Sequence, residues 1–152
     1  MANLVGSKIE RKEDKRFLTG KGRYTADINL VNQTYACFVR SQHARAKINK
    51  IDIAKASNSP GVVKIFTGED LIKDKIGGLI AGWKIVSQDG KDMKVPPHPP
   101  LAKDSVNYVG DHVAIVVAET LEQARNAAEL VNVSYKLQKA VVKTKDAMNA
   151  EA

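Results

Sequence analysis

The chain is poor in cysteine, aromatic residues and long apolar runs. Its single cysteine, Cys37, cannot form an internal disulfide, which fits a reducing, cytoplasmic setting. One Trp, four Tyr and three Phe in 152 residues leave the core to Val, Ile, Leu and Ala. The longest strongly apolar stretch, 113–118, is far too short to span a bilayer. Residues 1–6 show no basic segment leading into an apolar one, so no secretory signal is expected. Repeats and low-complexity tracts are also missing.

Recognisable catalytic chemistry is missing as well. No GxxxxGK[ST] motif occurs, and the cluster Gly20-Lys21-Gly22 lacks the upstream glycine and the following Ser or Thr of a phosphate cradle. No GxGxxG opens a helix. His43, His98 and His112 are scattered, each without a second His or Cys at ligand spacing. Glu13-Asp14 and Glu69-Asp70 are adjacent pairs, whose side chains diverge on a strand or a helix and so do not make a catalytic dyad. Cys37 falls inside a predicted strand, where a small buried thiol is the ordinary occupant.

What the chain does have is asymmetric charge. Through Lys50 there are eleven Lys/Arg against four Asp/Glu; the rest has thirteen of each, so the net +7 sits in the first third. A solvated basic segment, an acidic protein surface and nucleic acid are the readings such a patch allows. Tyr24, Tyr35 and Phe38 accompany the charges, but no RNP-like or GXXG pattern is present, and nucleic acid is disfavoured.

Residues 1–30 read as an irregular, extended arm, broken by Gly20 and Gly22. TYACFVR (34–40) predicts a strand, and 45–53 a second one. In the latter, Ala46 and Ile48 alternate, whereas Ile51 and Ile53 continue out of phase, which predicts a bulge between them. Asp52 caps a short predicted helix, and 62–66 is a strand. Thr67 with Asp70, and Thr120 with Gln123, form capping-box patterns at two helix starts. The glycine- and proline-rich stretch 73–100 predicts an exposed excursion. Residues 106–109 and 112–119 read as strands, the latter apolar on both faces like a central strand. Leu121, Ala124, Ala128 and Val131 make one face of a helix, and Val133 and Tyr135 continue into a last strand. Strand, helix and strand in succession predict a βαβ crossover.

Several segments together resemble a known family. They are RKED (11–14), LTGKGRY (18–24) with Asp27, FVRSQHA (38–44) with Ile48, PGVV (60–63), TGEDL (67–71), and YVGDHVAIVVA (108–118) running on to Ala124, Ala128, Val133 and Tyr135. Their ordered set resembles the N-terminal α/β hammerhead domain of the large subunit of the xanthine dehydrogenase, aldehyde oxidase and aerobic carbon monoxide dehydrogenase family. The likeness is closer to the carbon monoxide dehydrogenase-like and prokaryotic aldehyde oxidoreductase branch. Gln42 and His112 stand where the family often has proline, and YKLQK (135–139) replaces its usual Tyr-Glu-x-Leu-Pro.

The resemblance implies an α+β fold, the α/β hammerhead. It would comprise a mixed β-sheet with a βαβ unit near the C-terminus and the irregular basic N-terminal arm. Its implied organisation is a single domain, with an arm over 1–30, the hammerhead over 31–145 and a tail over 146–152. It implies a structural and assembly role without catalysis by this chain alone, as a fragment or as a split subunit. The cofactor, molybdopterin cytosine dinucleotide or a related molybdopterin, would lie in other domains, with iron–sulfur and FAD in partner subunits. Implied partners are the remaining large-subunit domains and those subunits, with dimerisation when isolated. No catalytic, cofactor-binding or metal-binding residue is assigned in this chain. Residues 8–27 are expected to dock on a neighbouring surface through Arg11, Arg16, Gly20, Lys21, Gly22, Arg23 and Tyr24. The alternative is a free-standing basic module for nucleic acid or another polyanion.

Overall fold

The structure, a computed structural model, describes residues 5–6, 11–83 and 85–149. The signal reading at the first residues, the start of the docking segment (8–10) and the end of the tail (150–152) lie wholly or partly outside the described residues. The chain forms two compact units, 1–33 and 34–152.

In the first unit, the arm expected to be irregular contains a helical turn, α1 (Asp14–Leu18), and a 3-10 turn at Thr25–Asp27. Local bonds explain why the broken pattern still yields a turn. Arg11 Nε contacts Asp14 Oδ1 at 3.0 Å, and Thr19 Oγ1 donates to Lys15 O at 2.7 Å at the far end.

The second unit holds two three-stranded antiparallel sheets. Strands β1 (Tyr35–Arg40), β2 (Ala46–Asp52), β3 (Val62–Thr67), β4 (Ser105–Val106), β5 (His112–Ala118) and β6 (Asn132–Leu137) are joined by helices α2 (Ala54–Ser57), α3 (Gly68–Lys73) and α4 (Leu121–Glu129). One sheet runs β1-β5-β3 and the other β4-β2-β6. β5 is central, as its two apolar faces required. Its Ala114 and Val116 enter a core with Ile65, Ala127 and Val131, while Val113 enters a second core with Ala46, Ile48 and Val106. Ile51 and Val133 pack against both cores and so link them.

Some expectations need correction. The β5–α4–β6 succession is present, but it is not a crossover within one sheet. Both edges of β5 are taken by antiparallel partners, β1 and β3, and β6 pairs with β2 in the other sheet. The expected mixed sheet is therefore two antiparallel sheets among the described residues. The strand expected at 106–109 stops at Val106. The buried Asp111 carboxylate accepts the Asn107 N–H at 3.0 Å and turns the chain.

The local signals hold elsewhere. Asp52 Oδ1 accepts the Ala54 N–H at 3.1 Å, and Asp70 Oδ2 accepts the Thr67 N–H at 2.8 Å. Thr120 Oγ1 accepts the Gln123 N–H at 3.2 Å, while Gln123 Oε1 accepts the Thr120 N–H at 3.0 Å. The β2 bulge falls between Ile48 and Lys50. On α4 the buried line is Ala124 and Ala127 rather than one including Leu121, which is exposed. Alanines have no bulk beyond Cβ, so the helix lies closest to the sheet along their row.

Candidate functional site: the basic arm

Phe17 organises the arm. Its ring stacks on Tyr24 with centroids 5.5 Å apart and planes 15° apart. The Arg16 guanidinium sits 5.2 Å from the same ring. Between them the chain reverses: Gly20 N–H donates to Phe17 O at 3.1 Å, and Lys21 N–H donates to Arg16 O at 2.9 Å. Gly20 has φ +68°, a left-handed value that favours glycine. Gly22 lies against the Phe17 ring, and a Cβ there would come within 3.0 Å of Phe17 Cδ1. Tyr24 is held from below by its N–H to Asp27 Oδ2 at 2.9 Å.

Six of the seven residues singled out in the sequence are thus placed around one aromatic hub. Gly20, Lys21, Gly22 and Tyr24 wrap around Phe17, Arg16 rides on it, and Arg23 is exposed on the same loop. Arg11 stands apart, its guanidinium already committed to Asp14. Arg16, Lys21 and Arg23 make no ion pair among the described residues. Sequence reasoning missed Phe17. Its signal was there, as the aromatic residue seven before Tyr24 in a stretch otherwise dominated by charge.

The histidines do not converge. His43 meets Tyr135 edge-on at 5.0 Å, His112 stacks on Phe38 at 4.4 Å, and His98 Nε2 lies 3.4 Å from Tyr108 Oη. Among the described residues no three His, Cys, Asp or Glu side chains gather closely enough to hold a metal. Cys37 is half-buried, in a groove of about 590 Å³ between β1, α4 and β6 that also exposes Arg125, Glu129 and Tyr135. Burial pushes the Tyr135 hydroxyl above its usual range, so it stays a neutral phenol at physiological pH. A second cavity of about 520 Å³ lies under the excursion, with His98, Tyr108 and Asp111 at its wall. Burial, followed by repulsion from Asp111, raises the Tyr108 phenol as well.

A family model described as "Aldehyde oxidase and xanthine dehydrogenase, a/b hammerhead domain" matches residues 19–139. The chain belongs to that family. Most of the arm's hub lies inside the matched span. The hammerhead is 43% identical over 129 residues to the nicotine 6-hydroxylase large subunit of Paenarthrobacter nicotinovorans, covering 85% of this chain and 15% of that protein. It is 35% identical over 150 residues to the carbon monoxide dehydrogenase large chain of Afipia carboxidovorans, covering 97% of this chain and 17% of that one. The solved structure of quinoline 2-oxidoreductase from Pseudomonas putida 86 superimposes with a TM-score of 0.83 at 35% identity, over 97% of this chain and 18% of that one. The hammerhead thus spans less than a fifth of the length of these relatives. No described helix is long and apolar enough to cross a membrane.

Proposed function

We propose that this hammerhead serves as a structural and assembly domain of a molybdenum hydroxylase large subunit, of carbon monoxide dehydrogenase or aldehyde oxidoreductase type, without catalysis of its own. The observation that carries this reading is the coverage. Nearly the whole chain, 97%, aligns with one small part, 17%, of a much longer large chain. In this proposal molybdopterin, as the cytosine dinucleotide or a related form, is held by the remaining large-subunit domains. Iron–sulfur and FAD groups belong to partner subunits, and the setting is cytoplasmic. An isolated copy is expected to self-associate through surfaces those neighbours would cover. The division into an arm over 1–30, a hammerhead body over 31–145 and a tail over 146–152 is part of the same reading.

The arm is the proposed docking element. Arg16, Lys21 and Arg23 make no ion pair among the described residues and are exposed; Arg16 lies on α1 and Lys21 and Arg23 on the loop that the Phe17–Tyr24 stack closes. Arginine in such a loop can engage carboxylates in bidentate fashion. The test is charge reversal: Arg16→Glu with Lys21→Glu and Arg23→Glu, followed by co-purification with the other large-subunit domains and the partner subunits. Assembly should weaken by about tenfold or more, as for loss of several charge-assisted contacts. Unchanged assembly would reduce the arm to a solvated segment. The alternative, a module for nucleic acid or another polyanion, draws on the same net charge of +7. Retention on heparin or DNA that fades with modest salt and shows no sequence preference would be charge attraction alone.

A further inference from the structure

A second surface, unlike the arm in chemistry, lies on the excursion between α3 and β4. The excursion is tied at its base, where Leu79 N–H donates to His98 O at 2.8 Å and the returning chain buries Leu101 and Ala102. Beyond that base it folds into a small hairpin. Met93 N–H donates to Ile85 O and Ser87 N–H to Lys91 O, both at 2.9 Å, around a turn in which Gly90 takes φ +76°. The side chains it carries are apolar and uncovered. Ile80 is 91% exposed and Trp83 81%, with Ile85, Val86 and Val95 each more than half exposed.

A lone two-stranded hairpin has no core and is marginal in water. This many large apolar residues in one short segment exceeds the scattered exposure of an ordinary surface, and marks a place that another surface covers. The polar groups do not offer an alternative. Asp89 pairs with Lys91 at 3.1 Å at the turn, and Asp92 and Lys94 add one exposed charge of each sign on the returning side, so these four charges balance. Trp83 is the chain's one tryptophan, and a large aromatic side chain is the usual anchor of a dry contact.

We infer that this excursion is an apolar plug, with Ile80 and Trp83 on the approach to its hairpin as anchors, that inserts into the remaining domains of the large subunit. The inference rests on the assembly reading above and adds a contact that the basic arm does not supply. The occupant follows from length. The alignment with the carbon monoxide dehydrogenase large chain runs over 150 residues, nearly all of this chain, yet covers 17% of that protein. In such a relative the other 83% (100 − 17) is available to cover the excursion. A segment rich in large apolar side chains and of low net charge, three Lys against two Asp over 79–95, fits the interior-like surface between domains of one subunit better than a charged partner does.

The test is hydroxyl-radical footprinting of the assembled, molybdenum-bearing large subunit, read by mass spectrometry at Trp83 and Met93. A synthetic peptide spanning 79–95 is the uncovered reference. The plug predicts Trp83 oxidation slower in the assembly by about tenfold or more, as for a side chain in a dry interface core. Oxidation within about threefold of the peptide, which such a dry core does not permit, overturns the inference. So does protection found only in a dimer of the isolated chain, or only with phosphatidylcholine vesicles, while Trp83 stays reactive in the assembled subunit. Failure of the wild-type chain to associate with the other large-subunit domains at all would overturn the assembly reading itself, and the plug with it. An intact assembly with a reactive Trp83 removes the plug alone.

Discussion

Gly68→Ala is the substitution for which helix propensity and tertiary structure predict opposite signs. Gly68 is the first residue of α3, and alanine in a helix is favoured over glycine by up to about 1 kcal/mol, less at a terminus. Its backbone conformation is not left-handed, so no local strain opposes the change. What opposes it is the neighbouring chain. A Cβ at residue 68 would lie 2.9 Å from Ala102 O and 3.0 Å from Lys103 Cα, both backbone atoms. Reaching ordinary contact at 3.4 Å requires a movement of 0.5 Å (3.4 − 2.9). Ala102 is poorly placed to give way. It is buried in the second core, and its N–H donates to His112 O at 2.7 Å. Overpacking of this kind costs about 1–3 kcal/mol, and loosening the His112 bond costs up to about 1 kcal/mol more. After the helical gain is subtracted, the expected net loss is about 1–3 kcal/mol. That corresponds to roughly 2–4 °C in melting temperature per kcal/mol for a chain of this size. Urea denaturation followed by far-ultraviolet circular dichroism reads it as a lower midpoint at unchanged slope. Gly77→Ala is the control, because nothing lies within 4 Å of its added Cβ, and it should be neutral or slightly stabilising. If Gly68→Ala matched or exceeded Gly77→Ala in stability, the close approach of residues 102–103 to α3 would be refuted.

Other perturbations test separate parts of the fold. Thr120→Ala removes the cap of α4 and should cost about 1 kcal/mol in the same assay, with Thr120→Ser largely restoring it. Asp70 is held below the usual carboxylate range, first by the Thr67 N–H and also by the Thr67 hydroxyl. A carboxylate whose folded pKa is depressed stabilises the fold above its unfolded value, about 3.9, and loses that contribution as pH falls through the folded value. The midpoint difference between wild type and Asp70→Ala should therefore be full at pH 6 and vanish in strong acid; a difference constant with pH would contradict the bond. Gly20→Ala places a side chain at φ +68° and should loosen the turn under Phe17. Nuclear magnetic resonance would show it as altered ring-current shifts around Phe17 and Tyr24, with the β5 resonances unmoved.

Much of the fold was legible because its signals are local. Thr67 with Asp70 and Thr120 with Gln123 announce helix starts by spacing alone, and the phase slip between Ile48 and Ile51 announces the β2 bulge. The two apolar faces of β5 place it centrally. The partition into two sheets was not legible, because alternation says which face is buried and not which strand is the neighbour. The short β4 depends on a carboxylate at Asp111, four residues further on, capturing the Asn107 N–H. The requirement for glycine at 68 arises from a segment more than thirty residues away in sequence. In the arm the charges were conspicuous, while the Phe17 hub that arranges them was concealed by a segment too short to show a period. The excursion was legible as irregular and exposed from its glycines and prolines; that Ile80 and Trp83 stand among its most uncovered apolar side chains required the structure.

The most direct measurement is the molybdenum content of this 152-residue chain purified alone and together with the remaining large-subunit domains. The account predicts no stoichiometric molybdenum and no turnover of an aldehyde or carbon monoxide by the chain alone, with metal recovered only alongside those domains. Stoichiometric molybdenum on the isolated chain, or turnover by it, would contradict the assignment of the chemistry to other domains.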